Sequence, residues 1–181
     1  METVRAFISI KIPEMPNIRE VLERLRAVPG TSVPADVHMT LRFLGDVETN
    51  KIKRLSERMG SLEEYPSFDV STSGSGAFPN TRDPRIVWIG AGLGTPFYDI
   101  LSDIDRMLGS LSIGFDRKPF RPHVTVSRVK RRSEHLTDIL NEYRCQDIGS
   151  FRCGEILLMS SVLTPSGAEH AVIGTFPLSD G

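Results

Sequence analysis

His38-Met39-Thr40-Leu41-Arg42-Phe43-Leu44 and His123-Val124-Thr125-Val126-Ser127-Arg128-Val129 decide the reading of this chain. Both alternate in character with a period of two, so both predict strands, over Val37–Leu44 and His123–Val129. On a strand, residues two apart share a face. Each stretch therefore presents a histidine beside a threonine, with Met39 and Leu41, or Val124 and Val126, on the buried side. The two histidines are 85 residues apart in a chain of 181 that contains only four histidines. A single His-x-Thr would be ordinary, and a structural histidine would explain it. Two, both with apolar residues in the gaps and at matching places in the two halves, point to a shared purpose.

Working outward, strands and amphipathic helices alternate. Ala6–Ile12 predicts a first strand, stopped by Pro13 and Pro16. Asn17, with Glu20 three residues on, predicts the cap of a helix carrying Ile18, Val21, Leu22, Leu25 and Val28. A second helix is expected over 50–62, then strands Phe68–Ser73 and Arg85–Ile89 joined by a loop rich in Gly, Pro and Asn. Thr95-Pro96 opens a third helix with Phe97, Ile100, Leu101, Ile104 and Leu108 on one stripe. A short helix over 134–143 and strands near Glu155–Leu163 and Ala171–Phe176 complete the chain. Each half reads strand, helix, strand, helix, strand. Arg5-Ala6-Phe7-Ile8 and Arg85-Ile86-Val87-Trp88 open corresponding strands. The expectation is a single two-lobed domain built on an internal duplication, with sequence halves of about 1–84 and 85–181 that need not coincide with the spatial lobes.

Composition excludes several classes. With 39% hydrophobic and 25% charged residues, the chain is neither disordered nor fibrous. No apolar run reaches the roughly 20 residues of a membrane span, and the N-terminus lacks a signal-peptide layout. Cys145 and Cys153 have neither disulfide-framework nor metal-site spacing, so a reducing cytoplasm is the expected compartment. The formal net charge is −1, which advertises no polyanion partner. Nothing signals an oligomer or an obligate protein partner, and a monomer is expected.

Two imidazoles with two hydroxyls suit phosphodiester cleavage. One side of phosphorus must lose a proton while the other gains one, and histidine is base or acid near neutrality. Threonine hydroxyls donate hydrogen bonds to non-bridging oxygens as charge shifts onto them. The residues alone do not say which histidine is which. From Arg117 to Arg132 seven basic residues and no acidic one bracket His123. They are either a solvated face or a local phosphate-tracking patch containing Arg121. Arg42, four residues after His38, falls on the same face of an unbroken strand and is expected in the cleft. Arg128, five after His123, faces away unless a bulge intervenes. Phe7, Phe120 and Trp88 are candidates for base stacking, with core packing as the alternative. His135 and His170 lack the His-x-Thr context; His170 is expected in a polar turn.

The stretches RAFISIKIP from Arg5, HMTLRFLGDV from His38 and FRPHVTVSRV from Phe120 resemble the 2H phosphoesterase superfamily, and within it the RNA 2′,3′-cyclic phosphodiesterases, also called 2′-5′ RNA ligases. The resemblance extends over essentially the whole chain. It implies an α+β fold of two pseudo-symmetric lobes, each an antiparallel sheet backed by helices, around a central cleft. It implies opening of RNA 2′,3′-cyclic phosphate ends, or of cyclic nucleotides, to 2′-phosphomonoesters without metal or cofactor. His38 would be proton donor and His123 proton acceptor, with Thr40 and Thr125 beside them and Arg128 matching a common motif arginine. The alternatives are 2′-5′ ligation with an RNA hydroxyl replacing water, a small nucleotide substrate such as a cyclic phosphate of ADP-ribose, and a non-catalytic nucleotide- or RNA-binding module.

Overall fold

A computed structural model describes residues 2–165 and 167–180. Its elements, in order, are β1 (Thr3–Lys11), α1 (Pro16–Arg26), β2 (Thr31–Ser32), β3 (His38–Glu48), α2 (Thr49–Met59) with a 3-10 turn (Gly60–Glu64), β4 (Phe68–Phe78), β5 (Ile86–Leu93), α3 (Pro96–Ser110), β6 (His123–Val129), α4 (Glu134–Glu142), β7 (Asp147–Cys153), β8 (Glu155–Thr164) and β9 (Gly167–Pro177). The strands form two sheets, ordered β3-β1-β8-β9 and β2-β6-β5-β4-β7. Their strand pairs are antiparallel. The fold is α+β with two lobes, one per sheet.

Helices do not stay with the half of the sequence that supplies them. α1 packs on β2, β6, β7 and α4, so it backs the second sheet although it follows β1 of the first. α3 follows β5 of the second sheet yet lies along α2, which covers β1 and β3. The apolar stripes drive this docking: Ile18, Val21, Leu22 and Leu25 of α1 and Phe97, Ile100, Leu101, Ile104 and Leu108 of α3 are all buried. The lobes meet where β3 runs against β6, the two strands that carry the His-x-Thr stretches.

Two local expectations are corrected, and one strand was not expected. α1 starts at Pro16, with Met15 as N-cap and no side-chain cap bond. Pro16 at the first helical turn is preset for helix and has no N–H to satisfy, so Asn17 is not needed as the cap. β4 runs through Gly74 and Gly76 to Phe78 rather than ending at Ser73. Gly74, at φ 67, sits where the β4–β5 register slips, and Trp88 occupies the space a Cβ on Gly76 would need. β7, unforeseen because Gly149 and Ser150 break its apolar pattern, pairs with β4 and closes the second sheet.

Candidate active site

The site is built by two bulges at the same motif position. On β1, Lys11 and Ser9 lie opposite His38 and Thr40; the next pair is Ile8 with Arg42, leaving Leu41 as an extra residue. On β5, Gly90 and Trp88 lie opposite His123 and Thr125; the next pair is Val87 with Ser127, leaving Val126 extra. A bulge of one residue reverses the facing of everything beyond it. The fifth motif position therefore turns inward: Arg42 is 9% exposed and Ser127 fully buried. The sixth turns to the histidine face: Phe43, paired with Phe7, and Arg128, paired with Ile86, are both exposed.

These register facts correct the expectation for Arg42 and supply the bulge on which the facing of Arg128 depended. Arg42 does not share the His38 face. Its Nε and Nη2 donate to Asp105 Oδ1 and Oδ2 at 2.7 and 2.9 Å, and Nη1 donates to the Leu41 carbonyl at 2.9 Å. It ties β3 to α3. Arg128 does not face away, because the bulge at Val126 restores it to the side of His123 and Thr125. The same pairs put the opening arginines one residue out of step: Ser9, not Ile8, occupies the place of Trp88.

Each imidazole is held by the backbone two residues before it. His123 Nδ1 lies 2.7 Å from the Arg121 carbonyl, so Nδ1 carries the hydrogen and Nε2 is left for chemistry. The Asp36 backbone likewise acts on His38, favouring its charged form. Arg121 thus orients His123 through its main chain, while its side chain is exposed.

The surroundings of the two rings differ. His38 packs on Phe7 at 5.1 Å between ring centroids and edge-on against His170 at 5.2 Å. Burial pushes the His38 imidazole below its usual range, and the like charge of His170 pushes the same way; the Asp36 backbone and carboxylate oppose both. His123 meets Phe78 edge-on at 5.1 Å, and Phe78 packs against Trp88 at 5.6 Å. Gly90, opposite His123, has no room for a side chain: a Cβ there would stand 2.8 Å from the Ser73 carbonyl oxygen.

Two stacking candidates are corrected. Phe7 is 2% exposed, covered by His38 and His170, and forms the floor beneath them rather than an open platform. The Phe120 ring is taken up by Phe97, at 5.4 Å, and by the Arg42 guanidinium, at 5.8 Å. Sequence reasoning passed over Phe43, which is 45% exposed with the Arg5 guanidinium 4.8 Å above its ring. His170, expected in a polar turn, lies in β9. The Cys153 thiol is pushed up to about 11 by burial, which makes it a poor nucleophile.

Residues 10–88 match the model of the LigT-like phosphoesterases. Several proteins named RNA 2′,3′-cyclic phosphodiesterase are similar along nearly their whole length. The one from Archaeoglobus fulgidus is 34% identical, covering 96% of this chain and 99% of its own. The one from Methanothermobacter thermautotrophicus is 32% identical, covering 97% and 99%. Among solved structures, a Thermus thermophilus protein superposes with a TM-score of 0.80 at 24% identity, covering 96% of this chain and 97% of that one. Escherichia coli LigT does so at 0.75 and 22%, covering 99% and 100%. Such likeness over both whole chains means that this chain belongs to the LigT-like RNA 2′,3′-cyclic phosphodiesterase family.

Proposed function

We propose that this chain hydrolyses RNA 2′,3′-cyclic phosphate ends to 2′-phosphomonoesters. The observation that carries the reading is the paired construction of the site: two bulged strands, each offering one backbone-anchored imidazole and one threonine hydroxyl on the same face. Water attacks phosphorus as His123 Nε2 takes its proton. The bond from phosphorus to the 3′ oxygen breaks, and His38 gives that oxygen its proton. Thr40 and Thr125 donate hydrogen bonds to the non-bridging oxygens, where negative charge concentrates in the transition state. Arg128, exposed on the His123 side, binds the phosphate or its neighbour along the strand.

His38 must carry a proton to act as acid, and burial lowers its affinity for one, so its acid-competent fraction falls as pH rises and turnover is expected to decline on the alkaline side. The two imidazoles supply both proton transfers, so turnover is expected to survive EDTA. No helix among the described residues is long and apolar enough to cross a membrane, and we place the enzyme in the cytoplasm as a monomer acting on RNA ends.

The test is incubation with an RNA oligomer ending in a 2′,3′-cyclic phosphate, with the product's regiochemistry read by NMR or selective phosphatase. A 2′-phosphate is expected. His38→Ala and His123→Ala should each lower kcat by about 10²–10⁴-fold with binding retained. Unchanged turnover in both variants would overturn the two-histidine mechanism, binding without turnover in the wild type would leave only a binding module, and a 2′-5′ linked product would make the site a ligase.

A further inference from the structure

We propose that His170 is a positioning residue of this site, a third imidazole that holds and electrically biases His38. The proposal rests on the acid role given to His38 above. It begins from the curvature of the first sheet. β3 and β9 are its two edge strands, yet the rings of His38 and His170 stand 5.2 Å apart with an interplanar angle of 88°. Both rest on Phe7 of β1, whose ring lies 5.0 Å from that of His170. The sheet is thus curled so that its far edge closes over the acid-side histidine. Three rings pack mutually, and His38 is wedged between an aromatic floor and an imidazole wall.

The identity of the wall residue needs a reason. His170 Nδ1 is buried and has no hydrogen-bond partner among the described residues. A buried polar atom left unpaired costs stability that a phenyl ring in the same slot would not. Packing alone therefore favours an apolar ring, and the imidazole serves something else. What it adds is a second titratable group against His38, and its positive charge acts to discharge its neighbour. Asp36, before β3, is the carboxylate that acts on His38; Lys11 of β1 lies opposite His38 and Asp46 opposite Arg5, and Glu169, adjacent to His170 on β9, is directed to the opposite face. Arg5 is engaged with Phe43, and Asp36 holds His38 in the opposite sense to His170.

The test is an NMR titration of the imidazole C–H protons in the free protein, together with pH profiles of kcat/KM. His170→Phe keeps the ring and the cover over His38 and removes only the charge. The His38 midpoint is expected to shift upward, and the alkaline limb of kcat/KM to move with it. His170→Ala also removes the wall, and kcat should fall by roughly ten- to a hundredfold, as for a misplaced catalytic group, with a smaller change in KM. His135→Ala, at an exposed position on α4, is the control and should move neither quantity. A His38 midpoint identical in wild type and His170→Phe overturns the proposal; if that variant does not fold, His170→Gln takes its place under the same criterion. The titration needs no substrate. A wild type that fails to open cyclic phosphates would therefore refute the proposed function while leaving the coupling of His170 to His38 to be read independently.

Discussion

Asp105→Ala is the sharpest test of how the first bulge divides structure from chemistry. Arg42 is 9% exposed and its guanidinium is held bidentately by Asp105, which is 32% exposed. Removing the carboxylate leaves a cation facing Phe115 and Phe120 with only the Leu41 carbonyl to satisfy it. Breaking a buried pair on one side typically costs about 3–5 kcal/mol. The partial exposure of Asp105 admits water and puts this case near the lower end, about 3 kcal/mol. For a chain of this size about 1 kcal/mol moves Tm by about 2–4 °C, so a fall of about 6–12 °C is expected in calorimetry. The effect on KM should be small, because Arg42 lies on the far side of β3 from His38. The double variant Arg42→Met with Asp105→Leu removes both charges and should regain most of the loss, since an apolar pair of similar volume carries no desolvation penalty. An unchanged Tm for Asp105→Ala, together with a KM raised in Arg42→Met, would refute the bulge argument and return Arg42 to the substrate.

Other outcomes follow from the same geometry. Gly76→Ala would place a Cβ 2.2 Å from the Trp88 ring; overpacking of about 1–3 kcal/mol is expected, with a shift in fluorescence that reports on Trp88 alone because it is the only tryptophan. Because His38 binds its proton less readily in the fold than in the open chain, the unfolded state takes up more protons as pH falls. Its stabilising contribution is therefore complete above the unfolded value, about 6.5, and is lost as pH drops through the lowered folded one; denaturant titrations between pH 8 and 5 should show a shallower decline in His38→Asn than in wild type. Arg128→Ala should reduce the slope of log affinity for a short RNA against log salt by about 1. Arg132→Ala, in the same basic run, should leave that slope unchanged; equal effects from both would mean a diffuse basic face instead of a contact.

Period-two alternation was enough to place His38 with Thr40 and His123 with Thr125, because the first three motif residues sit on regular strand. It failed at the fourth. Leu41 and Val126 are ordinary strand residues, and nothing in their chemistry announces a bulge. The slip is imposed by pairing with β1 and β5, partners distant in sequence, and it exchanges the facings of Arg42 and Phe43. Helix stripes were legible for the same reason as the motifs, since α1 and α3 bury the residues their spacing marks. Which sheet each helix covers was not, because α1 and α3 both cross to the other lobe. His170 was illegible twice over. Gly167-Ala168-Glu169 carries no strand pattern, and proximity to His38 arises only from the curl of a whole sheet.

The matched bulges also explain how a near-symmetric scaffold can serve an asymmetric reaction. A repeat of strand, bulge and strand guarantees that both lobes present a histidine, a threonine and one further side chain on the same face. It does not dictate what that further residue is, or what surrounds the ring. At the sixth motif position one lobe carries Phe43 beneath Arg5, the other carries the guanidinium of Arg128. Around the imidazoles, His38 is walled by Phe7 and His170, whereas His123 has Phe78 on one flank and side-chain-free Gly90 opposite. General acid–base cleavage needs one imidazole that gives up its proton and one that accepts. Backbone anchoring by Asp36 and Arg121 is common to the two rings and cannot distinguish them. The difference must come from the neighbours, and the largest difference among them is His170.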